Sequence, residues 1–247
     1  MRAAINKKAP GAHPLSMNDL LSPAELEALR LSLDVAARSV GFSLPLAVLV
    51  AWFLTRVRFP GRPVLDAFVH LPLVIPPVAT GYILLLVFGI NGGIGGWLHH
   101  RLGIQLAFTT AGAALATAVM SFPLMVRAIR IALENVDVGL EAAARTLGAG
   151  AWDRFFTITL PLMLPGILAG AVTAFAAGLG EFGAVITFAS NVPGETRTLP
   201  LALYTAIQSP SGDTVALRLA ILSLILGLLG LFMAELISRR VRRLLGR

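Results

Sequence analysis

The sequence contains no cysteine and only two lysines, Lys7 and Lys8, both close to its start. Without cysteine there is no disulfide, no thiolate metal site and no cysteine nucleophile. The shortage of lysine excludes a P-loop nucleotide site. That loop needs Gly-Lys followed by Ser or Thr, because its lysine neutralises the β- and γ-phosphates. Histidine is sparse too: His13, His70, His99 and His100 show no metal-ligand spacing with a glutamate, and no Gly-x-Ser-x-Gly elbow is present. Charged residues make up 13% of the chain, against about 25% in an average soluble domain. So little polar surface cannot wet a globule of 247 residues. These deficits exclude a P-loop ATPase and argue against an enzyme, with no catalytic residue, metal or cofactor expected.

What fills the chain instead is apolar sequence: 56% hydrophobic residues and a mean hydropathy of +0.81. Residues 39–55, 67–100, 102–126, 155–180 and 219–234 carry no Asp, Glu, Lys or Arg. A helix crossing a bilayer needs roughly 20 mostly apolar residues, and each run meets or approaches that length. Five spans are expected, near 31–56, 66–90, 107–131, 160–186 and 214–238. The alternating segments of about 10 residues that build a closed barrel do not match these continuous runs. The fold class expected is therefore all-α, a polytopic membrane domain over 28–240 between a tail at 1–27 and a basic tail at 241–247.

The net charge of +7 is explained by topology rather than by nucleic acid. Lys and Arg collect in cytoplasmic loops. Arg56, Arg58 and Arg62 follow the first span, Arg127, Arg130, Arg145 and Arg154 follow the third, and Arg239, Arg240, Arg242, Arg243 and Arg247 follow the fifth. The two intervening loops hold only Arg101 and Arg197. This bias places the C-terminus inside and, across five spans, the N-terminus outside the membrane. Arg2, Lys7 and Lys8 oppose that orientation, whereas a start at Met17 would leave an acidic tail. No signal peptide is expected, because no apolar run follows the early basic residues closely enough. Ser22, Pro23 and Glu25 stand at the spacing of a helix N-cap and capping box.

Between the third and fourth spans the chain reads LENVDVGLEAAARTLGAGAWDRFFTITLPLMLPGI from Leu133. This loop is too polar to cross a bilayer and too regular for an arbitrary connection. A short helix is expected over 139–156, with Leu140, Ala143, Ala144 and Leu147 on one face. Gly148 and Gly150 allow a turn or a close approach. Two readings fit: docking into another protein's groove, or an amphipathic helix lying on the lipid surface.

The segment resembles the EAA loop of ABC-importer permeases, in which Glu-Ala-Ala, three residues, Gly, nine residues and Ile-x-Leu-Pro form a helix that seats in a separate ATPase subunit. Anchored on Gly148, the register reaches Ile158, Leu160 and Pro161. It departs at one place: Ala142 stands at the glutamate position, followed by Ala143 and Ala144, and Glu141 lies one residue earlier. The resemblance covers roughly 28–240. LPLVIPPVATGYILLLVFG (71–89) and GEFGAVITFASNVPGETRTLPLALYTAIQSP (180–210) are similar to the molybdate permease branch. Sulfate, thiosulfate and tungstate permeases are the alternatives within the class, and an ion-gradient-driven carrier the alternative outside it. The resemblance implies a homodimer in the lipid bilayer, a cytoplasmic dimer of ATP-binding subunits that hydrolyses the ATP, and an extracytoplasmic molybdate-binding protein.

Other features mark the pathway. Pro76 and Pro77 interrupt the second span, where prolines remove backbone bonds, and a pore wall or a packing hinge is expected there. Pro161 either opens the fourth span or hinges it. Gly166, Gly170, Ala174 and Gly178 recur at four-residue spacing, which allows close helix packing, within the chain or between copies. Glu181 and Gly183 lie in a Gly-Leu-Gly-Glu-Phe-Gly run. A carboxylate at membrane depth is a functional candidate, expected here to pair with an arginine or cap a helix break. Asp34 and Arg38 are expected to form an i, i+4 ion pair.

Overall fold

A computed structural model describes residues 21–244. Lys7, Lys8 and the alternative start at Met17 lie outside the described residues. Ten helices follow one another, and no strand occurs among the described residues. They are α1 (Pro23–Arg56), α2 (Arg62–His70, prolonged by a 3₁₀ turn at Leu71–Leu73), α3 (Pro77–Phe88), α4 (Gly93–Leu102) and α5 (Thr110–Glu134). Then come α6 (Val138–Thr146), α7 (Ala151–Leu179), α8 (Gly183–Phe188), α9 (Leu199–Ile207) and α10 (Asp213–Leu244).

Four helices, α1, α5, α7 and α10, are long and apolar enough to cross a membrane, and α2–α3 makes a fifth span if the bent pair counts as one. The second span is thus broken rather than continuous. Its halves meet at 113°, because Pro76 and Pro77 supply no N–H and the chain passes through extended backbone at Pro76 before α3 begins. The fourth span stops at Leu179, seven residues before the boundary expected from hydropathy, and the chain restarts as α8. Helix α1 begins at Pro23, inside the tail assigned to 1–27, because the capping box forms: Glu25 N–H donates to Ser22 Oγ at 3.3 Å and Ser22 N–H to the Glu25 carboxylate. At the other end, residues 241–244 prolong α10.

Helix α5 lies at the centre, flanked by α1 and α7, with α10 against the far side of α7. The small-residue row of α7 makes this possible. A Cβ built on Gly166 would stand 2.2 Å from Ala132 Cβ, and one on Gly178 would stand 2.8 Å from Thr117 Cγ2. The row therefore packs within the chain, against α5. Two apolar clusters fill the bundle. One, toward α6, joins Leu54, Met125, Ile129, Leu133 and Met163, and the other joins Val35, Leu84, Ala113, Val185 and Phe188. The rim is apolar as well: Phe42 is 80% exposed, and Leu228 and Phe232 are exposed on α10. A face of that kind is stable against lipid and not against water.

At the end opposite α6, Glu25 is 2% exposed and pairs with Arg218 at 3.1 Å, tying the start of α1 to the start of α10. Ser32 Oγ accepts from Leu199 N–H at 2.7 Å, fixing α9 on α1. Asp34 and Arg38 pair at 2.8 Å along α1.

Candidate coupling hook and pathway elements

The polar loop after α5 folds into a hook. Asp137 caps α6, accepting from Gly139 N–H at 2.7 Å. The expected helix over 139–156 ends at Thr146 instead, because a Schellman motif closes it. Gly148 N–H donates to Arg145 C=O and Ala149 N–H to Ala144 C=O, both at 3.0 Å. Gly148 has φ +88°, which glycine adopts without steric cost, and its missing Cβ faces open space. The chain turns there and re-enters helix at Ala151.

Phe155–Thr159 then forms a π-helical segment, with Leu160 N–H donating to Phe155 C=O. Pro161 explains the widened turn. Its ring would crowd the Thr157 carbonyl of a regular helix and it offers no N–H, so the helix absorbs one extra residue before it. Just before it, Leu160 packs on the cluster containing Leu133 and Met163, while Ile158 is half-buried.

The outward side of the hook is apolar. Val138 is 62%, Leu147 88%, Trp152 76% and Phe156 57% exposed. Leu140, Ala142 and Ala143 are exposed and Ala144 half-buried. Trp152 and Phe156 stack at 6.2 Å between ring centroids. Glu141 turns the other way. Its Oε1 accepts from Arg56 Nη2 and from Thr159 Oγ1, each at 2.8 Å.

The pathway candidates also meet. Pro76 caps α3 and Pro77 is its first residue. A Cβ on Gly183 would stand 2.7 Å from Pro77 Cβ, and one on Gly81 2.6 Å from Ala184 C=O. Helices α3 and α8 therefore cross at near-backbone contact. Glu181 caps the break between α7 and α8: its Oε1 accepts from Ala184 N–H at 2.9 Å. It also borders a cavity of about 50 Å³ with Thr117, Met120, Ser121, Ala177 and Gly178. Of the two expectations for Glu181, the cap is the one formed.

Residues 43–243 match the family described as binding-protein-dependent transport system inner membrane component. The chain belongs to this family. It is similar to the molybdenum transport system permease protein ModB of Escherichia coli K12, 57% identical over 228 residues, which are 92% of this chain and 100% of that protein. The ModB of Haemophilus influenzae is 53% identical over 90% of this chain and 97% of its own. The fold resembles that of a bacterial alginate ABC transporter solved with its pentasaccharide-bound periplasmic protein, at a TM-score of 0.71 and 19% identity, covering 89% of this chain and 80% of that one. As an inner membrane component of such a system, the chain is a permease subunit, and ATP hydrolysis belongs to a separate subunit.

Several elements of the permease escaped the sequence reading. Helices α4 and α9 lie within stretches read as external loops, and their 10 and 9 residues are too short for a span signal. Arg56 and Thr159 lie 85 and 18 residues from Glu141, so no spacing rule connects them. Arg218 had no visible partner in the sequence, because Glu25 is far away along the chain.

Proposed function

We propose that two copies of this chain enclose the translocation pathway of an ATP-driven molybdate importer. The C-terminus and the hook face the cytoplasm and the N-terminus faces outward. The observation that carries the coupling role is the exposed apolar side of the hook. A rigid turn at Gly148 presents Leu140, Leu147 and Trp152 on the basic side of the membrane, where lipid-facing bulk is not needed. An ATPase subunit docks there: Ala142, Ala143 and Ala144 lie on the contact side, while Glu141, Gly148, Ile158, Leu160 and Pro161 shape the hook behind it. An extracytoplasmic molybdate-binding protein delivers the anion at the opposite end.

The mechanism follows from linkage. Closure of an ATPase pair moves the docked hooks, and the packed helices behind them change from one arrangement to the other. Pro76, Pro77, Glu181 and Gly183 sit where two short helices replace a continuous span, and this broken region serves as wall or gate. With its Oε1 engaged by a backbone N–H, Glu181 holds the helix break rather than the dianion. Substrate choice rests mainly with the binding protein, and the likeness to molybdenum permeases over 92% of the chain supports molybdate. The test is uptake by proteoliposomes containing the permease, its ATPase and its binding protein. Molybdate should enter and tungstate should compete, while sulfate in tenfold excess should not; sulfate entering in preference would overturn the substrate assignment.

A further inference from the structure

Glu141 sits one place before the position where the importer loop pattern has its glutamate, and Ala142 occupies that position on the exposed side. The displaced carboxylate faces the membrane domain of its own chain. One oxygen, Oε1, accepts from Arg56 at the C-terminal end of α1 and from Thr159 at the end of the π segment. Arg56 and Glu141 side chains are 19% and 22% exposed and Thr159 is 4% exposed. The Nε–H of Arg56 is buried and makes no hydrogen bond among the described residues, so its guanidinium depends on this carboxylate. Charge-assisted bonds of this geometry are strong and directional, and withdrawing one partner leaves the other desolvated.

The three groups join three elements. Helix α1 is a full span, α6 forms the hook's first arm, and the π segment is the widened turn inside α7 that separates the hook from the membrane-spanning part of that helix. A π turn is a soft point in a helix. A hook joined to the spanning part of α7 through that turn alone could swing without moving α1 or the rest of α7. The Arg56–Glu141–Thr159 clamp bypasses the soft turn and makes α6 rigid against both α1 and α7.

We infer that Glu141 is a positioning residue for transport: it does not dock the ATPase but clamps the docking helix to α1 and α7, so that movement of the hook reaches the spans. This rests on the importer reading above. The clamp differs from a docking contact in what its loss should do. Without it the ATPase still binds the outward apolar side and still hydrolyses ATP, but the spans follow the hook poorly.

The experiment uses the full chain reconstituted with its ATPase and binding protein, reading ATPase co-purification, ATP hydrolysis and molybdate uptake separately. Wild-type uptake that needs ATP establishes the importer reading first; its absence would fail that reading and not this one. Glu141→Ala should keep the ATPase bound and hydrolysing within about twofold of wild type while uptake per ATP falls tenfold or more. Arg56→Ala should do the same, and the pair of changes should cost no more than either alone. Arg56→Lys, which keeps a cation, should recover part of the uptake. The double reversal Arg56→Glu with Glu141→Arg covers the case in which a single variant assembles poorly, and it should restore coupling. Unchanged uptake per ATP in Glu141→Ala would overturn the inference. So would loss of ATPase binding by Glu141→Ala, which would make it a docking residue, or failure of the double reversal to improve on either reversed charge alone.

Discussion

Gly148 and Glu141 show how much a single position can decide. The backbone at Gly148 has φ +88° and its absent Cβ would meet nothing, so the requirement there is conformational and not spatial. A β-branched residue should cost roughly 1–2 kcal/mol in left-handed backbone, enough to unwind the Schellman turn and redirect the hook. Gly148→Val is expected to reduce ATPase co-purification and transport together, whereas Gly148→Asn, which tolerates that region, should keep most of both. Equal behaviour of the two variants would show that the turn does not set the hook. The sequence announces Gly148 through its place in the motif. It also places Glu141 beside the motif's glutamate position but does not give the direction of its side chain, because the partners that turn it inward come from two other helices. Local pattern reveals which residue types stand on a helix face, and only tertiary packing decides which way a carboxylate at the edge of that face is drawn.

Among the elements, α7 carries the most information per residue. Its glycine row is legible as a packing face, but the sequence left open whether the partner was another helix of the chain or another copy. Ala132 and Ala128 on α5 decide it, since there is no room for a Cβ at Gly166. Gly166→Ala should therefore destabilise the bundle by about 1–3 kcal/mol, the usual cost of overpacking. Adding Ala132→Gly should restore much of that loss by making room. Thermal unfolding in detergent reads both, and a Gly166→Ala protein as stable as wild type would contradict the packing. The crossing of α3 and α8 makes a second prediction. Gly183→Val would push Pro77 away from a 2.7 Å approach, and uptake should fall while ATPase assembly persists. Loss of ATPase assembly instead would mean that this crossing supports the fold rather than the pathway. Proline placement made the break in the second span readable. The 113° bend was not, because removing a hydrogen bond frees the backbone without saying where packing will send it.

For the whole molecule, the sequence conveys the solvent before it conveys the shape. Charge-free runs identify the spans, and the arginine bias predicts an orientation for them. The short helices α4 and α9 stay hidden, because segments of 10 and 9 residues leave no hydropathy signature and are held by contacts such as Ser32 to Leu199. The exposed rims of α1 and α10 suit lipid, and on the proposed reading the apolar hook meets a partner. With no P-loop lysine and ATP hydrolysis on a separate subunit, the chain is read as a body moved from outside. The measurement that tests this most directly is molybdate uptake by vesicles containing the permease alone, the permease with its ATPase, and the permease with both ATPase and binding protein. Uptake should require ATP and both partners. Uptake by the permease alone, driven by a proton or sodium gradient and indifferent to ATP, would contradict it.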